Sequence, residues 1–257
     1  MTVTHTIAEW RDLRRSPVFH GKTVGFVPTM GALHAGHVAL LERARHENDL
    51  VVLSIFVNPT QFNDPRDLEK YPRVWETDVA HARRAGVDAI FAPDRNQMYP
   101  DGYHYRVTED KLSTAMEGAH RPGHFDGVLT VVLKLLLLVQ ADRAYFGEKD
   151  MQQLLLVRGM AEAFFLPTQI VPCPTVRAED GLALSSRNAL LTAAGRARAP
   201  EFARVLREES DPARARQRLE AAGFGVDIVQ DHEHWRLGAV RIDGIRLIDN
   251  VRREDPV

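Results

Sequence analysis

Short runs of apolar residues alternate along the first two thirds of the chain with longer segments in which apolar residues recur at helical spacing. Runs rich in Val, Ile and Phe predict buried strands at residues 23–27, 50–57, 87–93, 143–147 and 168–171. The intervening segments predict helices at residues 36–47, 77–85, 127–140 and 150–165. This alternation is typical of a parallel sheet with helices on both faces, in which ligands bind beyond the carboxyl ends of the strands.

The pattern changes after about residue 177. Residues 191–219, rich in Ala and Arg, predict helices with breaks at Pro200 and Pro212. Residues 226–230 and 239–248 predict strands, with Asp243–Gly244 as a candidate turn. We therefore predict an α/β fold with two domains, the parallel-sheet domain at residues 1–176 and a smaller α+β domain at residues 177–257.

Composition narrows the class of protein. The 257 residues are 44% hydrophobic and 26% charged, which is ordinary for a globular chain, and a net charge of −2 excludes a global field that attracts nucleic acid or an anionic membrane. The longest apolar stretch, residues 128–139, is interrupted by Lys134 and predicts a buried helix rather than a membrane span. The amino terminus lacks the apolar core of a signal peptide, and one cysteine, Cys173, excludes an internal disulfide, so we expect a cytoplasmic protein.

The first predicted strand leads into a loop that carries two histidines, His34 and His37, at the start of a helix. Helix starts attract anions, two histidines three residues apart can face one phosphate, and Gly36 permits close approach to the backbone. Most His-x-x-His pairs are surface histidines at a helix cap, but the order of strand, glycine loop and helix favours a phosphate site here. Zinc is not expected, because no third ligand follows at a recognisable spacing.

Polar side chains also follow two other predicted strands. Asn58 and Gln61 could hydrogen-bond a small polar substrate, although Asn-Pro equally initiates turns. After residue 147, Lys149 precedes a helix and suits a phosphate oxygen, while Asp150 is explained equally well as an N-cap. The chain has only five lysines among its 33 basic residues, which makes Lys149 more notable.

Near the predicted domain boundary, Ser185, Ser186 and Arg187 form a candidate polyphosphate clamp, with a helix N-cap and a solvated arginine as the alternative. The preceding residues 179–181 resemble a hinge, so this segment could close over a ligand as a lid. Together, the candidate sites fit adenylyl transfer. A carboxylate held by Gln61 and Gln153 would attack the α-phosphate of a nucleotide, and pyrophosphate would leave.

Seven segments resemble the pantothenate synthetase family, in the family's order and over nearly the whole chain. They are VPTMGALHAGH (27–37), SIFVNPTQF (54–62), YPR (71–73), RPGHFDGVLTVVLKL (121–135), FGEKDMQQL (146–154), RAEDGLALSSRN (177–188) and RLIDN (246–250). The resemblance implies a Rossmann-like nucleotidyltransferase domain followed by a smaller lid domain, usually as a homodimer. It also implies ATP-dependent condensation of (R)-pantoate with β-alanine, with Mg²⁺, to give pantothenate, AMP and pyrophosphate.

The resemblance also carries functional roles onto matching positions. Catalytic roles fall to His34, His37, Lys149 and Arg187, with His37 as the proton donor. ATP contacts fall to Met30, Gly31, Ala32, Leu33, His34, Ala35, Gly36, His37, Gly147, Glu148, Lys149, Asp150, Val176, Leu184, Ser185, Ser186 and Arg187. Contacts with pantoate or β-alanine fall to Asn58, Gln61, Val128, Val131, Val132 and Gln153, and Arg121 and His124 are expected near the same pocket. No residue is assigned to Mg²⁺.

Two departures from the family pattern stand out. Ala35 occupies a position that usually carries an acidic residue, and residues 223–248 are expected to compress two longer strand-bearing segments, which would shorten the lid domain. Two other functions stay open on the sequence: another nucleotidyltransferase with a His-x-Gly-His loop, or an ATP-binding module that has lost catalysis. The segments VNPTQF and GEKDMQQL argue against the first, and the retained histidines, Lys149 and Arg187 argue against the second.

Overall fold

The computed structural model describes residues 1–253. The chain forms two compact units. The first comprises Met1–Phe146 and Gln152–Cys173, and the second comprises Gly147–Met151 and the chain from Pro174 to the end of the described residues.

The first unit alternates strands with helices. Its strands are β1 (Thr2–Thr4), β2 (Val24–Thr29), β3 (Leu50–Ile55), β4 (Ala89–Phe91), β5 (Arg143–Gly147) and β6 (Gln169–Cys173). Its helices are α1 (Ile7–Arg15), α2 (Ala35–Glu47), α3 (Pro65–Lys70), α4 (Trp75–Arg84), α5 (Arg95–Met98), α6 (Glu117–His120), α7 (His124–Val139) and α8 (Met151–Ala163).

The six strands form one sheet in the order β1-β4-β3-β2-β5-β6, and the pairs β1–β4, β4–β3, β3–β2 and β2–β5 are parallel. From β2 the chain adds β3 and β4 on one side and β5 and β6 on the other. The direction of winding therefore reverses between β2 and β5, which is where open α/β sheets bind ligands. The predicted fold class is confirmed.

The predicted helix at residues 127–140 is confirmed as α7, which begins three residues earlier, after Gly123 in a left-handed conformation. Eleven of its sixteen residues are buried. Lys134 interrupts the apolar run without breaking the helix, and its Nζ donates to the carbonyl oxygen of Met98 at 2.8 Å. Within the described part of the chain, no helix is long and apolar enough to cross a membrane.

Strand β1 and helix α1 at the amino terminus were not predicted from the sequence. The strand predicted at residues 87–93 corresponds to the shorter strand β4. Both strands have only three residues, and β1 pairs with β4 alone at the edge of the sheet. Such short segments contain too few residues for an alternating or apolar pattern to stand out.

The second unit packs helices on an antiparallel sheet. Its helices are α9 (Ala193–Arg198), α10 (Pro200–Glu208) and α11 (Pro212–Ala221), and its strands are β7 (Gly225–His232), β8 (Trp235–Ile242) and β9 (Ile245–Arg252), in the order β7-β8-β9. The two prolines stand at the first positions of α10 and α11, where the missing N–H costs nothing. The predicted turn at Asp243–Gly244, with φ of 53° and 76°, is confirmed, and it divides the strand-like residues 239–248 between β8 and β9.

Candidate active site

The two histidines after β2 form a reciprocal cap on the first turn of α2. His34 is the N-cap residue, and its Nδ1 accepts the N–H of Gly36 at 3.1 Å. The Nδ1 of His37 accepts the N–H of His34 at 3.3 Å, and the ring centroids lie 4.1 Å apart. This is the arrangement of a capping box, with imidazole nitrogens in place of the usual hydroxyl and carboxylate oxygens. The structure therefore brings together the two histidines that the sequence singled out.

The cap determines which ring nitrogen carries the proton. Because each Nδ1 accepts a backbone N–H, the proton of each neutral imidazole resides on Nε2. Both histidines thus act as Nε2–H donors, and their positions are held by the same hydrogen bonds. Gly36 is required for this geometry, since a Cβ at residue 36 would lie 2.8 Å from Cε1 of His34.

A buried carboxylate, Asp78 on α4, holds the loop in front of these histidines. Its two oxygens accept the N–H groups of Ala32 at 2.9 Å and Leu33 at 2.7 Å. Asp78 is 2% exposed, and Gly31 must be glycine here because its φ is +79° and a Cβ would lie 2.8 Å from Oδ2 of Asp78. Asp78 is not among the site residues predicted from the sequence. The one sequence signal for its role is its position on the apolar face of an amphipathic helix, where a charged residue is unusual.

The same hydrogen bonds change which groups can bind an anion. Five backbone N–H groups of the loop and first helical turn are bonded within the protein, those of Gly31, Ala32, Leu33, His34 and Gly36. These hydrogen bonds hold the loop in its conformation. An anion at this loop would therefore be bound mainly through imidazole Nε2–H groups, rather than through the open helix start that the sequence suggested.

We expect Asp78→Asn to lower the free energy of unfolding by about 1–3 kcal/mol. The NH2 group of asparagine is a donor, and it would face the backbone N–H of either Ala32 or Leu33, which is also a donor. Urea unfolding would measure the loss. Asp94→Asn is the matched control, since Asp94 caps the exposed start of α5 and asparagine caps a helix as well as aspartate. An equal loss in both variants would contradict a special role for Asp78.

Gln61 lies in a network that the sequence did not foresee. Its Oε1 accepts from Nδ2 of Asn58 at 3.0 Å, and its backbone carbonyl accepts from Nη2 of Arg121 at 3.2 Å and Nδ1 of His124 at 2.8 Å. Asn58 is 1% exposed, and both ends of its amide are bonded to protein groups. The structure thus groups four of the predicted residues, with Gln61 half-buried and the other three holding its main chain and side chain.

Helix α7 runs against this turn. A Cβ at Gly127 would collide with the carbonyl oxygen of Thr60, so glycine is required for the close approach. Val128, Val131 and Val132 follow on the same helix and are 2%, 5% and 5% exposed. Protein atoms alone bury these three side chains, as core packing predicts.

The adjacent glutamines at the start of α8 have different environments. Gln152 is buried, and its amide accepts the N–H of Glu117 and donates to the carbonyl oxygens of Leu112 and Ala115. It therefore holds the segment before α7. Gln153, the candidate substrate residue, is half-buried, and no hydrogen bond of its side chain is present among the described residues.

In the second unit, β9 anchors the segment that carries Lys149. The Nδ2 of Asn250 donates to the carbonyl oxygens of Glu148 at 2.7 Å and Lys149 at 2.9 Å. The neighbouring Asp249, whose side chain is 2% exposed, binds Arg177 through both oxygens at 2.7 and 2.9 Å. These contacts explain the RLIDN segment, to which sequence reasoning had assigned no role.

The serines and Arg187 lie in the same unit. The N–H of Leu184 donates to the carbonyl oxygen of Val176 at 3.0 Å, which brings two of the predicted ATP contacts together. Oγ of Ser185 accepts the N–H of Arg187 at 3.3 Å and caps a short 3-10 helix, Ser186–Leu190. The cap considered as an alternative is therefore present. It occupies Ser185 but neither the hydroxyl of Ser186 nor the guanidinium of Arg187.

A model of the family described as pantoate-beta-alanine ligase matches residues 2–252. The chain belongs to this family. A pantothenate synthetase from Bdellovibrio bacteriovorus is 58% identical over 90% of this chain and 92% of its own, and one from Legionella pneumophila is 48% identical over 97% and 99%. The resemblance inferred from the seven segments is confirmed.

Solved structures of family members agree with the fold. A pantoate-beta-alanine ligase from Francisella tularensis, complexed with beta-gamma ATP and beta-alanine, has a TM-score of 0.93 at 39% identity and covers 98% of this chain and 97% of its own. The pantothenate synthetase of Thermus thermophilus has a TM-score of 0.90 at 45% identity, with 98% and 99% covered. Each of these two solved chains is thus covered over 97% or more of its own length.

Proposed function

We propose that the protein joins (R)-pantoate to β-alanine at the expense of ATP and forms pantothenate, AMP and pyrophosphate through a pantoyl adenylate. The observation that carries the proposal is the reciprocal His34–His37 cap after β2, in a chain that matches the pantoate–β-alanine ligase family over residues 2–252. This cap supplies two oriented N–H donors at the carboxyl edge of a parallel sheet, which is where such folds bind nucleotides.

In the first step, a carboxylate oxygen of pantoate forms a bond to the α-phosphorus of ATP, and the bond to the bridging oxygen breaks as pyrophosphate leaves. Negative charge builds up on the non-bridging oxygens of the α-phosphate. The Nε2–H groups of His34 and His37 stabilise this charge, and the cap holds them in place, so little reorganisation is needed. In the second step, the amine of β-alanine forms a bond to the acyl carbon, the bond from that carbon to the phosphate oxygen breaks as AMP leaves with its electron pair, and the amine releases a proton to water.

The proposed site for the β- and γ-phosphates consists of Lys149, Ser185, Ser186 and Arg187. The ammonium of Lys149 suits a phosphate oxygen, and the guanidinium of Arg187 can bind two. Among the described residues, no atom lies within 4 Å of a Cβ placed at Gly147, so there is space beside the backbone next to Lys149. The remaining ATP contacts are proposed at Met30–His37, Glu148, Asp150, Val176 and Leu184.

Pantoate is proposed to bind through the amides of Gln61 and Gln153, with its dimethyl group against Val128, Val131 and Val132. We further propose that residues 1–176 are the catalytic domain and residues 177–257 the lid. ATP is expected as its Mg²⁺ complex. Within the described residues, no group of three or more His, Cys, Asp or Glu is arranged to hold a metal ion.

A homodimer and a cytoplasmic location complete the proposal. The homodimer rests on the family resemblance, and the location rests on the single cysteine, Cys173, which leaves no internal disulfide. Size-exclusion chromatography with light scattering tests the dimer. A mass near twice the 28.9 kDa of the chain is expected.

The decisive experiment is exchange of labelled pyrophosphate into ATP. We expect exchange only with pantoate present, and release of AMP with formation of pantothenate only when ATP, pantoate and β-alanine are all supplied. Transfer of AMP to a phosphate ester instead would identify a different nucleotidyltransferase. A folded protein without any exchange would indicate a binding module without catalysis.

A further inference from the structure

Asn58 connects a buried tyrosine to the proposed substrate glutamine. Its Oδ1 accepts from the hydroxyl of Tyr99 at 2.7 Å and from Oγ1 of Thr60 at 3.0 Å. Its Nδ2 donates to the carbonyl oxygen of Gly127 at 3.1 Å and to Oε1 of Gln61 at 3.0 Å. Asn58 and Tyr99 are 1% and 4% exposed, so water does not compete for these bonds.

The partners determine which way each amide faces. The carbonyl oxygen of Gly127 can only accept, so the Asn58 atom beside it is the nitrogen, and the atom beside Tyr99 is the oxygen. Because the nitrogen of Asn58 also faces Gln61, the Gln61 atom beside it must be the oxygen. The Nε2 of Gln61, with its two hydrogens, is therefore the end of the amide turned away from Asn58.

The ring of Tyr99 is fixed by two neighbouring side chains, and its hydroxyl stays protonated, so it can donate to Asn58. The Nζ of Lys134 lies 4.6 Å from the centre of its ring, and the ring of Tyr103 packs edge-on at 5.3 Å. Burial raises the pKa of Tyr99 to about 12, so the phenol keeps its proton and remains able to donate at any working pH. The bond from Tyr99 is also the shortest that Asn58 makes.

We propose that Tyr99 is a positioning residue that acts through Asn58 to hold the Gln61 amide with its nitrogen, not its oxygen, toward the substrate. The Gln61 side chain then offers hydrogen-bond donors only. This selects a substrate that presents hydroxyl or carboxylate oxygens at this point and rejects one that lacks them. The inference rests on the proposed binding of pantoate by Gln61, and it adds a residue that secures the amide direction set by the Gly127 carbonyl.

The first test is Tyr99→Phe, which removes one hydroxyl and retains the ring contacts. In the pyrophosphate exchange assay we expect the KM for pantoate to rise about tenfold, with the KM for ATP unchanged. We also expect weaker discrimination between pantoate and its two deoxy analogues, each lacking one hydroxyl. Tyr103→Phe is the matched control, because it deletes the same group from the neighbouring ring and should leave all three quantities unchanged.

A double-variant cycle separates orientation from general loosening of the site. Gln61→Glu places a second acceptor toward the substrate, and we expect the KM for pantoate to rise at least about 100-fold. Tyr99→Phe should add nothing in that background, because the two oxygens of a carboxylate are equivalent and leave no orientation to set. A further tenfold rise in the double variant would overturn the proposal.

Three other results also overturn it: a change in the KM for ATP equal to that for pantoate, unchanged discrimination against both deoxy analogues, or the same effects in Tyr103→Phe. The unmodified protein distinguishes the two levels of inference. If it shows no pantoate-dependent exchange, the proposed function itself has failed. If it exchanges normally and the variants behave otherwise than stated, only the role of Tyr99 has failed.

Discussion

Replacing His37 by alanine is expected to lower the rate of pantoate-dependent pyrophosphate exchange by at least about 100-fold. The substitution removes an Nε2–H donor from the charge that develops on the α-phosphate. His46→Ala is the matched control, since His46 lies exposed on the same helix, and its exchange rate should equal that of the unmodified protein.

The alanine variant also removes Nδ1, which accepts the N–H of His34, so capping and catalysis must be separated. His37→Asn does this, because its side-chain oxygen can accept the same N–H while no group replaces Nε2. We expect His37→Asn to fold as stably as the unmodified protein and to remain slow in exchange. Recovery of the rate in this variant would show that His37 acts only as a cap.

Replacing Lys149 by alanine is the second large effect, again expected to slow exchange by at least about 100-fold. The ammonium is proposed to neutralise the phosphate oxygens that leave as pyrophosphate. Its main chain is fixed by the amide of Asn250, so loss of the side chain should not move the turn. Thermal unfolding should therefore be nearly unchanged while the rate falls.

Two further variants sharpen this result. Lys22→Ala removes a lysine from an exposed position and should leave exchange unchanged. Lys149→Arg keeps the charge but replaces a compact ammonium by a planar guanidinium, and we expect it to recover only part of the rate. Full activity in Lys149→Ala would exclude Lys149 from the phosphate site.

The histidine loop was predictable because its structure is local. Its capping bonds join residues two and three positions apart, from Gly36 to His34 and from His34 to His37. The order of strand, glycine loop and helix is likewise visible in a window of about fifteen residues. The turn at Asp243–Gly244 was predictable for the same reason, since it depends on two adjacent residues between β8 and β9.

The supporting residues were not predictable in this way. Asp78 meets Ala32 and Leu33 across 46 and 45 positions, and Asn250 reaches Lys149 across 101. An isolated aspartate or asparagine has the same local pattern whether it is exposed or buried against a distant backbone group. Only the packing of α4 and β9 within their own units distinguishes the two cases.

The sequence by itself determined the alternation of strands and helices, the buried character of α7 and the position of the two histidines, since each depends on residues within one element or one turn. The tertiary structure alone decided that Asp78 holds the loop, that Asn58 bonds Gln61, and that the Gly127 carbonyl and the Tyr99 hydroxyl meet opposite ends of the Asn58 amide. Those assignments depend on which donors and acceptors meet inside the protein. Because a buried polar group must find its partner wherever the chain brings one, its role depends on the fold.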